Sequence, residues 1–227
     1  MRRAKDAQAT APAEGGGRYF AIIGDLVDSR TLDDRAAVQV RFRDGIDRLN
    51  GALSSRLVVP LKLTAGDEVQ GLMEEADVLV DIVVALSDAV APARLSWGVG
   101  RGDLATELND DVSILDGPCF HHARDAVNAA KRASRWLAAE GFGEPEGTVL
   151  AGLMNLIGAI RSEWTPRQAE VVREARGRKQ SEVAEDLAVN RSTISRTLQS
   201  AHYDEVLEGE EAARALLLLL NEPPETP

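Results

Sequence analysis

The chain has 227 residues with 26 basic and 37 acidic side chains, so its formal net charge is −11. Hydrophobic residues make up 44% and aromatic residues 4%, a globular composition that excludes disordered, fibrous and collagen-like proteins. The single cysteine excludes an intramolecular disulfide and a multi-cysteine metal site. No apolar run approaches the roughly 20 residues that cross a bilayer, and no apolar stretch follows the basic residues near the N-terminus, so we expect no secretory signal. We therefore expect a cytoplasmic protein without a membrane partner.

Changes in composition divide the chain into five segments. Residues 1–17 are rich in Ala, Pro, Gly and charge, which favours a disordered tail. Residues 18–140 are predicted to form an α+β domain, and residues 141–163 a linker and connecting helix. A small all-α domain is expected over residues 164–202. Residues 203–227 are predicted to form an acidic C-terminal helix and tail.

The α+β segment alternates strand and helix patterns. Pro60 lies inside one strand pattern and predicts an edge strand or a bulge there. The predicted elements are a strand at 19–23, a helix at 38–53, strands at 57–64 and 69–73, a helix at 76–90, a strand at 94–100 and a helix at 119–137. This β-α-β-β-α-β order predicts a ferredoxin-like fold, with two helices on one face of an antiparallel sheet.

Two Gly-Asp pairs stand at the ends of predicted strands. Asp25 closes the first strand, and Asp67 lies at the tip of the hairpin. These strands are central neighbours in a ferredoxin-like sheet, so we expect the two carboxylates to lie side by side. Converging carboxylates repel unless a cation lies between them. The pair therefore predicts a site for Mg²⁺ or Mn²⁺, bound together with a nucleotide.

Polar residues near both Asp side chains are candidates for contacts with the nucleotide. The loop after the first strand offers backbone amides and one arginine to phosphates. The predicted nucleotide-binding set is Asp28, Ser29, Arg30, Glu68, His121 and Arg124. The alternative is structural, because an Asp at a strand end commonly caps the following loop and an Asp in a Gly-Asp turn suits any hairpin.

The segment from Gln180 to Leu198 has the pattern of two short helices joined by a turn. Asn190 is the expected N-cap of the second helix, and Thr165 followed by Pro166 is expected to begin an earlier helix. Such a helix-turn-helix places its second helix in the major groove of DNA. The predicted DNA-binding residues are Lys179, Arg191, Ser192, Thr193, Ser195 and Arg196.

Charge supports DNA as the partner of this small domain. Residues 164–202 hold seven basic and five acidic side chains, whereas the whole chain carries −11. A basic island in an acidic chain is typical of a tethered DNA reader. One such module binds weakly, so we expect a homodimer with two half-sites. The alternative is a three-helix bundle that serves packing or dimerisation only.

Four blocks of sequence, IIGDLVDSR, TAGDEVQGL, WGVGRGDL and DGPCFHHARDAV, together resemble the SatD family of bacterial proteins over about residues 19–135. They also resemble, more distantly, class III nucleotidyl cyclases and GGDEF domains. That resemblance implies a cyclase-like ferredoxin-type domain in which Asp25 and Asp67 hold two metal ions under the nucleotide phosphates, with Glu68 at the GGDEF glutamate. The NRSTISRTL segment resembles helix-turn-helix domains of the sigma-factor region 4 or resolvase type.

One departure from the cyclase pattern leaves catalysis open. Class III cyclases carry an Asn and an Arg on the late helix, and the matching positions here are His121 and Asp125. An aspartate does not neutralise the negative charge that develops in the transition state. Our first hypothesis is therefore a DNA-binding transcriptional regulator that senses a nucleotide with a divalent metal. The alternatives are an active nucleotidyl cyclase or nucleotidyltransferase, and a protein-assembly module without DNA binding.

Overall fold

The computed structural model describes residues 18–29, 32, 34–64 and 66–221. The predicted tail at 1–17 and the candidate Arg30 lie outside these ranges. Within them, the strands are β1 Tyr19–Leu26, β2 Val59–Thr64, β3 Glu68–Met73, β4 Leu95–Gly102 and β5 Leu137–Glu140. The α-helices are α1 Arg35–Ala52, α2 Val78–Val90, α3 Pro118–Arg132, α4 Glu146–Ser162, α5 Pro166–Ala175, α6 Gln180–Asp186, α7 Arg191–Ser200 and α8 Tyr203–Leu220. Across the described ranges, no helix is both long and apolar enough to cross a membrane.

The strands form one mixed sheet with the order β2-β3-β1-β4-β5. The first four strands are antiparallel neighbours, and β5 runs parallel to β4. Pro60 lies in the edge strand β2 next to a register shift between Val59 and Lys62, as its sequence position predicts. The fold is therefore α+β with five strands.

The fifth strand corrects the predicted helix at 119–137. Helix α3 ends at Arg132, and the chain reverses through Ser134, whose φ is +51°. β5 then begins at Leu137, and the side chain of Asn155 on α4 accepts hydrogen bonds from the amides of Trp136 and Leu137 at 2.9 and 3.1 Å. The helical periodicity of the sequence continues past Arg132, although the helix ends there. The chain reverses at Ser134, a non-glycine residue with positive φ, and sequence patterns rarely indicate such a reversal.

One face of the sheet packs against α1, α2, α4 and α8. Alternate residues of β1, among them Phe20 and Ile22, point into this main core. Trp97 of β4 is fully buried in the same core, and a Cβ on Gly24 would lie 2.3 Å from its ring. The glycine before Asp25 therefore makes room for tryptophan packing. Helices α4 and α8 contribute Leu150, Met154 and Leu217 to this core as well.

The opposite face of the sheet is covered by α3. Gly98 and Gly100 of β4 lie directly under this helix, and a Cβ on either would meet α3 backbone atoms at 2.2 Å. The absence of side chains here lets the helix backbone approach the strand backbone. This close seating fixes which side chains of α3 overhang the end of the sheet, and it therefore positions the candidate site.

Helices α5, α6 and α7 pack around a core of their own. Its centre is formed by Val172, Val183, Ile194 and Leu198, each at most 4% exposed. Thr165 begins α5 with a capping box and Pro166 at the first helical position, as predicted. The turn between α6 and α7 places Ala188 at a φ of +51°, and Asn190 occupies the predicted N-cap position without a side-chain cap bond.

Candidate functional site

The register of the sheet decides which carboxylate faces Asp25. Asp25 of β1 lies opposite Glu68 of β3, on the face covered by α3. Asp67 precedes β3 in the turn, and its carboxylate accepts a hydrogen bond from the Ser29 hydroxyl at 2.7 Å. The structure thus brings Glu68 across from Asp25 and pairs Asp67 with the loop that follows β1.

Two cations from α3 overhang this carboxylate pair. The Lys131 ammonium lies 2.9 Å from Asp25, and the Arg124 guanidinium makes a two-pronged ion pair with Glu68. Arg124 and Lys131 are seven residues apart, so both lie on one side of the helix. Their side chains are 43% and 44% exposed, so solvent reaches both cations. Lys131 is not among the nucleotide-binding residues predicted from the sequence. Its seven-residue spacing from Arg124, which places both cations on one side of a helix, could have identified it.

Glu68 is held by three donors. Besides Arg124, the Gln70 amide donates to it at 2.7 Å and the Thr64 hydroxyl at 3.2 Å. Burial alone would raise the pKa of the Glu68 carboxyl, but the hydrogen bonds from these donors outweigh burial and lower the pKa. Hydrogen bonding to Glu68 in turn raises the pKa of Arg124. The pair is therefore charged at neutral pH.

The other nucleotide candidates are spread around this cluster. Asp28 is exposed, with a φ of +52°. His121 is also exposed, and its Nε2 lies 2.7 Å from an oxygen of Asp116. Its neighbour His122 instead donates from Nδ1 to the Arg101 carbonyl at 2.7 Å. Of the predicted set, Glu68 and Arg124 contact each other, and Ser29 contacts the predicted metal ligand Asp67.

The donor chemistry of the cluster fits a divalent cation only with help from a ligand. Within the described ranges, no group of three or more His, Cys, Asp or Glu side chains is gathered as metal ligands. Mg²⁺, however, is often held by one or two carboxylates, with substrate phosphates completing its shell. Asp25 and Asp67 are oxygen donors of that kind, and Lys131 would have to leave Asp25.

The exposed surface of α7 is the second candidate site. Arg191, Ser192, Thr193, Ser195 and Arg196 are all exposed. Three arginines near this helix are ion-paired, namely Arg167, Arg176 and Arg178. By contrast, no carboxylate of the described part of the chain pairs with Arg191 or Arg196. The first turns of α7 therefore present two uncompensated cations and three hydroxyls to solvent.

Comparison with known proteins identifies the family of the chain. The profile described as the SatD family matches residues 19–217, and so extends past the four sequence blocks through α5, α6, α7 and most of α8. One solved structure aligns over 91% of this chain and 85% of its own, at 15% identity and a TM-score of 0.25. It is a regulator of polyketide synthase expression from Bifidobacterium adolescentis. No curated protein matches the chain.

Proposed function

The chain belongs to the SatD family, and we propose that it is a transcriptional regulator that binds DNA through α7 and senses a nucleotide on its sheet domain. The observation that carries the DNA proposal is the exposed first half of α7, where Arg191 and Arg196 have no carboxylate partner in the described ranges. Arginine forks and hydroxyls are the groups that bind DNA phosphates and base edges.

The arrangement of the three short helices supports a helix-turn-helix. α6 and α7 are joined by a turn with a left-handed residue, Ala188, and α5 closes their shared core. In helix-turn-helix proteins the second helix enters the major groove with its N-terminal residues against the bases. In this chain, those residues are Arg191, Ser192 and Thr193, and Ser195 and Arg196 follow one turn later.

Binding of a duplex measures this proposal directly. We would follow the fluorescence anisotropy of a labelled 30-base-pair random duplex, in about 50 mM salt, where phosphate contacts dominate affinity. Arg191→Ala with Arg196→Ala is expected to weaken binding about tenfold or more. The matched control is Arg43→Ala with Arg48→Ala, which removes the same charge from exposed positions on α1. Equal affinity of the two double variants would rule out α7 as the reader, and no binding by the wild type would favour the assembly alternative.

The nucleotide proposal is supported by the cations of α3. Arg124 and Lys131 lie over the sheet beside Glu68 and Asp25. The antiparallel strand order β2-β3-β1-β4 separately supports a ferredoxin-like, cyclase-related domain. Exposed cations of this kind suit phosphate oxygens. We propose that Asp25 and Asp67 hold Mg²⁺ or Mn²⁺ together with these phosphates. The metal ion would neutralise phosphate charge, while Glu68 keeps Arg124 oriented.

Calorimetry separates sensing from turnover. ATP and GTP are titrated with and without Mg²⁺ into the wild type, Asp67→Asn and the control Asp47→Asn, an exposed position on α1. We expect metal-dependent binding that Asp67→Asn abolishes and Asp47→Asn leaves unchanged. A released product that also disappears in Asp67→Asn would establish the nucleotidyl cyclase or transferase alternative. Binding without a metal requirement would remove the metal from the proposal.

We also propose a homodimer, because two half-sites need two readers. Apolar side chains are exposed on the paired helices α4 and α8, with Leu156 67% and Leu219 73% exposed. Residues 1–17 and 222–227 contain no Leu, Ile, Val or Phe, so these segments hold little to cover that face. Leu156→Glu with Leu219→Glu is expected to halve the mass found by light scattering, whereas Leu108→Glu, at an exposed loop position, is not. A monomeric wild type would contradict the dimer.

A further inference from the structure

A cleft lies between the α5 to α7 module and the sheet domain, on the side of the molecule away from α3. It has a volume of about 280 Å³. Apolar side chains from α1 and α2, namely Leu49, Val84 and Ala85, contribute to its lining. At about 30 Å³ per water molecule, this volume equals about nine waters, which is the size of a small organic molecule.

The charged lining of the cleft has one cation in excess. Asp81 is paired with Arg214 at 2.7 Å, and Asp88 with Arg161 at 2.5 Å, so both carboxylates are neutralised. Arg176 is neutralised by Glu210 at 2.7 Å. Arg173 is exposed and has no carboxylate partner in the part of the chain that the structure describes.

The wall formed by Arg176 also has unused hydrogen-bonding capacity. Its Nε is buried without a partner in the described part of the chain, and a carboxylate oxygen of Asp88 lies 3.8 Å away, too far for a hydrogen bond. The Nη1 of Arg161, behind Asp88, is buried and unpartnered in the same way. A buried donor without an acceptor is costly, but both nitrogens have almost no exposed surface, so the exposed Arg173 is the cation that an anion in the cleft would reach.

We propose that this cleft binds a small organic monoanion with an apolar body. The apolar side chains would contact the body, and Arg173 would pair with the anionic group. This site is distinct from the carboxylate and arginine cluster under α3. The volume and the single excess charge favour a carboxylic acid of benzoate or naphthoate size over a nucleoside triphosphate.

Such a molecule would contact two parts of the protein at once. Arg173 and Arg176 belong to the α5 to α7 module, whereas Val84, Ala85 and Arg214 belong to α2 and α8. A molecule with different affinities for two orientations of the module shifts the balance between them. This regulatory consequence rests on the proposed DNA binding, whereas the binding site itself does not.

The first test uses 1-naphthoate and its uncharged analogue 1-naphthamide, titrated by calorimetry into the full chain without DNA. Arg173→Gln removes the excess charge, and Ala85→Phe fills the cleft from a position that is already exposed. Arg167→Gln on α5 is the matched control, because Arg167 pairs with Glu170 and does not line the cleft. We expect saturable naphthoate binding that each cleft variant weakens about fivefold or more and the control leaves unchanged.

Three outcomes would overturn the site. These are no saturable binding of naphthoate or benzoate below about 10 mM, equal binding of naphthamide, or naphthoate binding that survives both cleft variants. Circular dichroism checks that Arg173→Gln and Ala85→Phe fold. The duplex anisotropy assay is then repeated with saturating naphthoate. Naphthoate binding without DNA binding would support the anion site and contradict DNA binding through α7. DNA binding without naphthoate binding would support α7 as the DNA-binding helix and contradict the anion site.

Discussion

Glu210 of α8 has no exposed surface, and its carboxylate accepts hydrogen bonds from both terminal nitrogens of Arg176 at 2.8 and 2.7 Å. Arg176 closes α5, so this ion pair ties the three-helix module to the long C-terminal helix. Arg161 of α4 lies 3.8 Å from the same carboxylate, between the rings of Trp136 and Trp164. Glu210, a buried acid bound by Arg176 and close to Arg161, therefore helps to fix the orientation of the α5 to α7 module.

Replacing that acid is expected to destabilise the whole chain. Glu210→Gln leaves the largely buried guanidinium of Arg176 without its main counter-ion, which costs about 3 kcal/mol in comparable buried pairs. The free energy of unfolding is measured by urea titration at neutral pH. The control is Glu211→Gln, whose side chain is 78% exposed and whose loss is expected to stay within about 0.5 kcal/mol. A change of that small size in Glu210→Gln would contradict the structural role.

Acid is expected to weaken the wild type through Glu68. Because the pKa of Glu68 is lowered in the folded state, its ionised carboxylate stabilises the fold at pH values above its pKa in the unfolded chain. That contribution is lost as the pH falls through the folded pKa. Between about pH 6 and pH 3, the wild type is therefore expected to lose more unfolding free energy than Glu68→Gln. We expect a difference of about 1 kcal/mol, since Arg124 is 43% exposed and solvent screens the pair.

The matched control for this measurement is Glu74→Gln, which removes an exposed acid that pairs with Arg18. Its dependence on pH is expected to follow that of the wild type. Parallel curves for Glu68→Gln and the wild type would show that the Glu68 pair contributes nothing to acid sensitivity.

The salt dependence of DNA binding reports the number of phosphates that the protein neutralises. The slope of log affinity against log salt has a magnitude of about 0.9 for each neutralised phosphate. If Arg191 and Arg196 each neutralise one phosphate, the slope of the double alanine variant is expected to be smaller in magnitude by about 1.8. Anisotropy titrations between about 50 and 200 mM salt measure it. A weakened affinity with an unchanged slope would instead mean that these arginines contact bases.

The thiol of Cys119 is expected to be unreactive in the folded protein. It lies in the first turn of α3, fully buried against the sheet, and burial raises its pKa to about 12, which leaves almost no thiolate at neutral pH. A disulfide reagent at about pH 8 is expected to label it only after unfolding in urea. Introducing Ser54→Cys, at an exposed turn, gives a positive control that reacts at once. Rapid labelling of the wild type would place the thiol at the surface.

Local patterns in the sequence determined most of the secondary structure. Apolar spacing located the amphipathic helices, and Pro60 marked an edge strand. Thr165 with Pro166 marked the start of a helix, and Gly66 marked a turn that the structure has at a φ of +81°. These features arise from interactions within a few residues, because capping, proline geometry and the freedom of glycine depend on neighbours along the chain.

The relationships between distant residues were decided only by the tertiary structure. Sheet register placed Glu68 opposite Asp25, and α3 then brought Lys131 and Arg124 onto the pair. Burial of Glu210 depended on how α8 returned to the sheet domain, and the parallel pairing of β5 depended on its neighbour β4. A shift of one residue in a strand moves a side chain to the opposite face, and no local pattern encodes that choice across 40 or more residues.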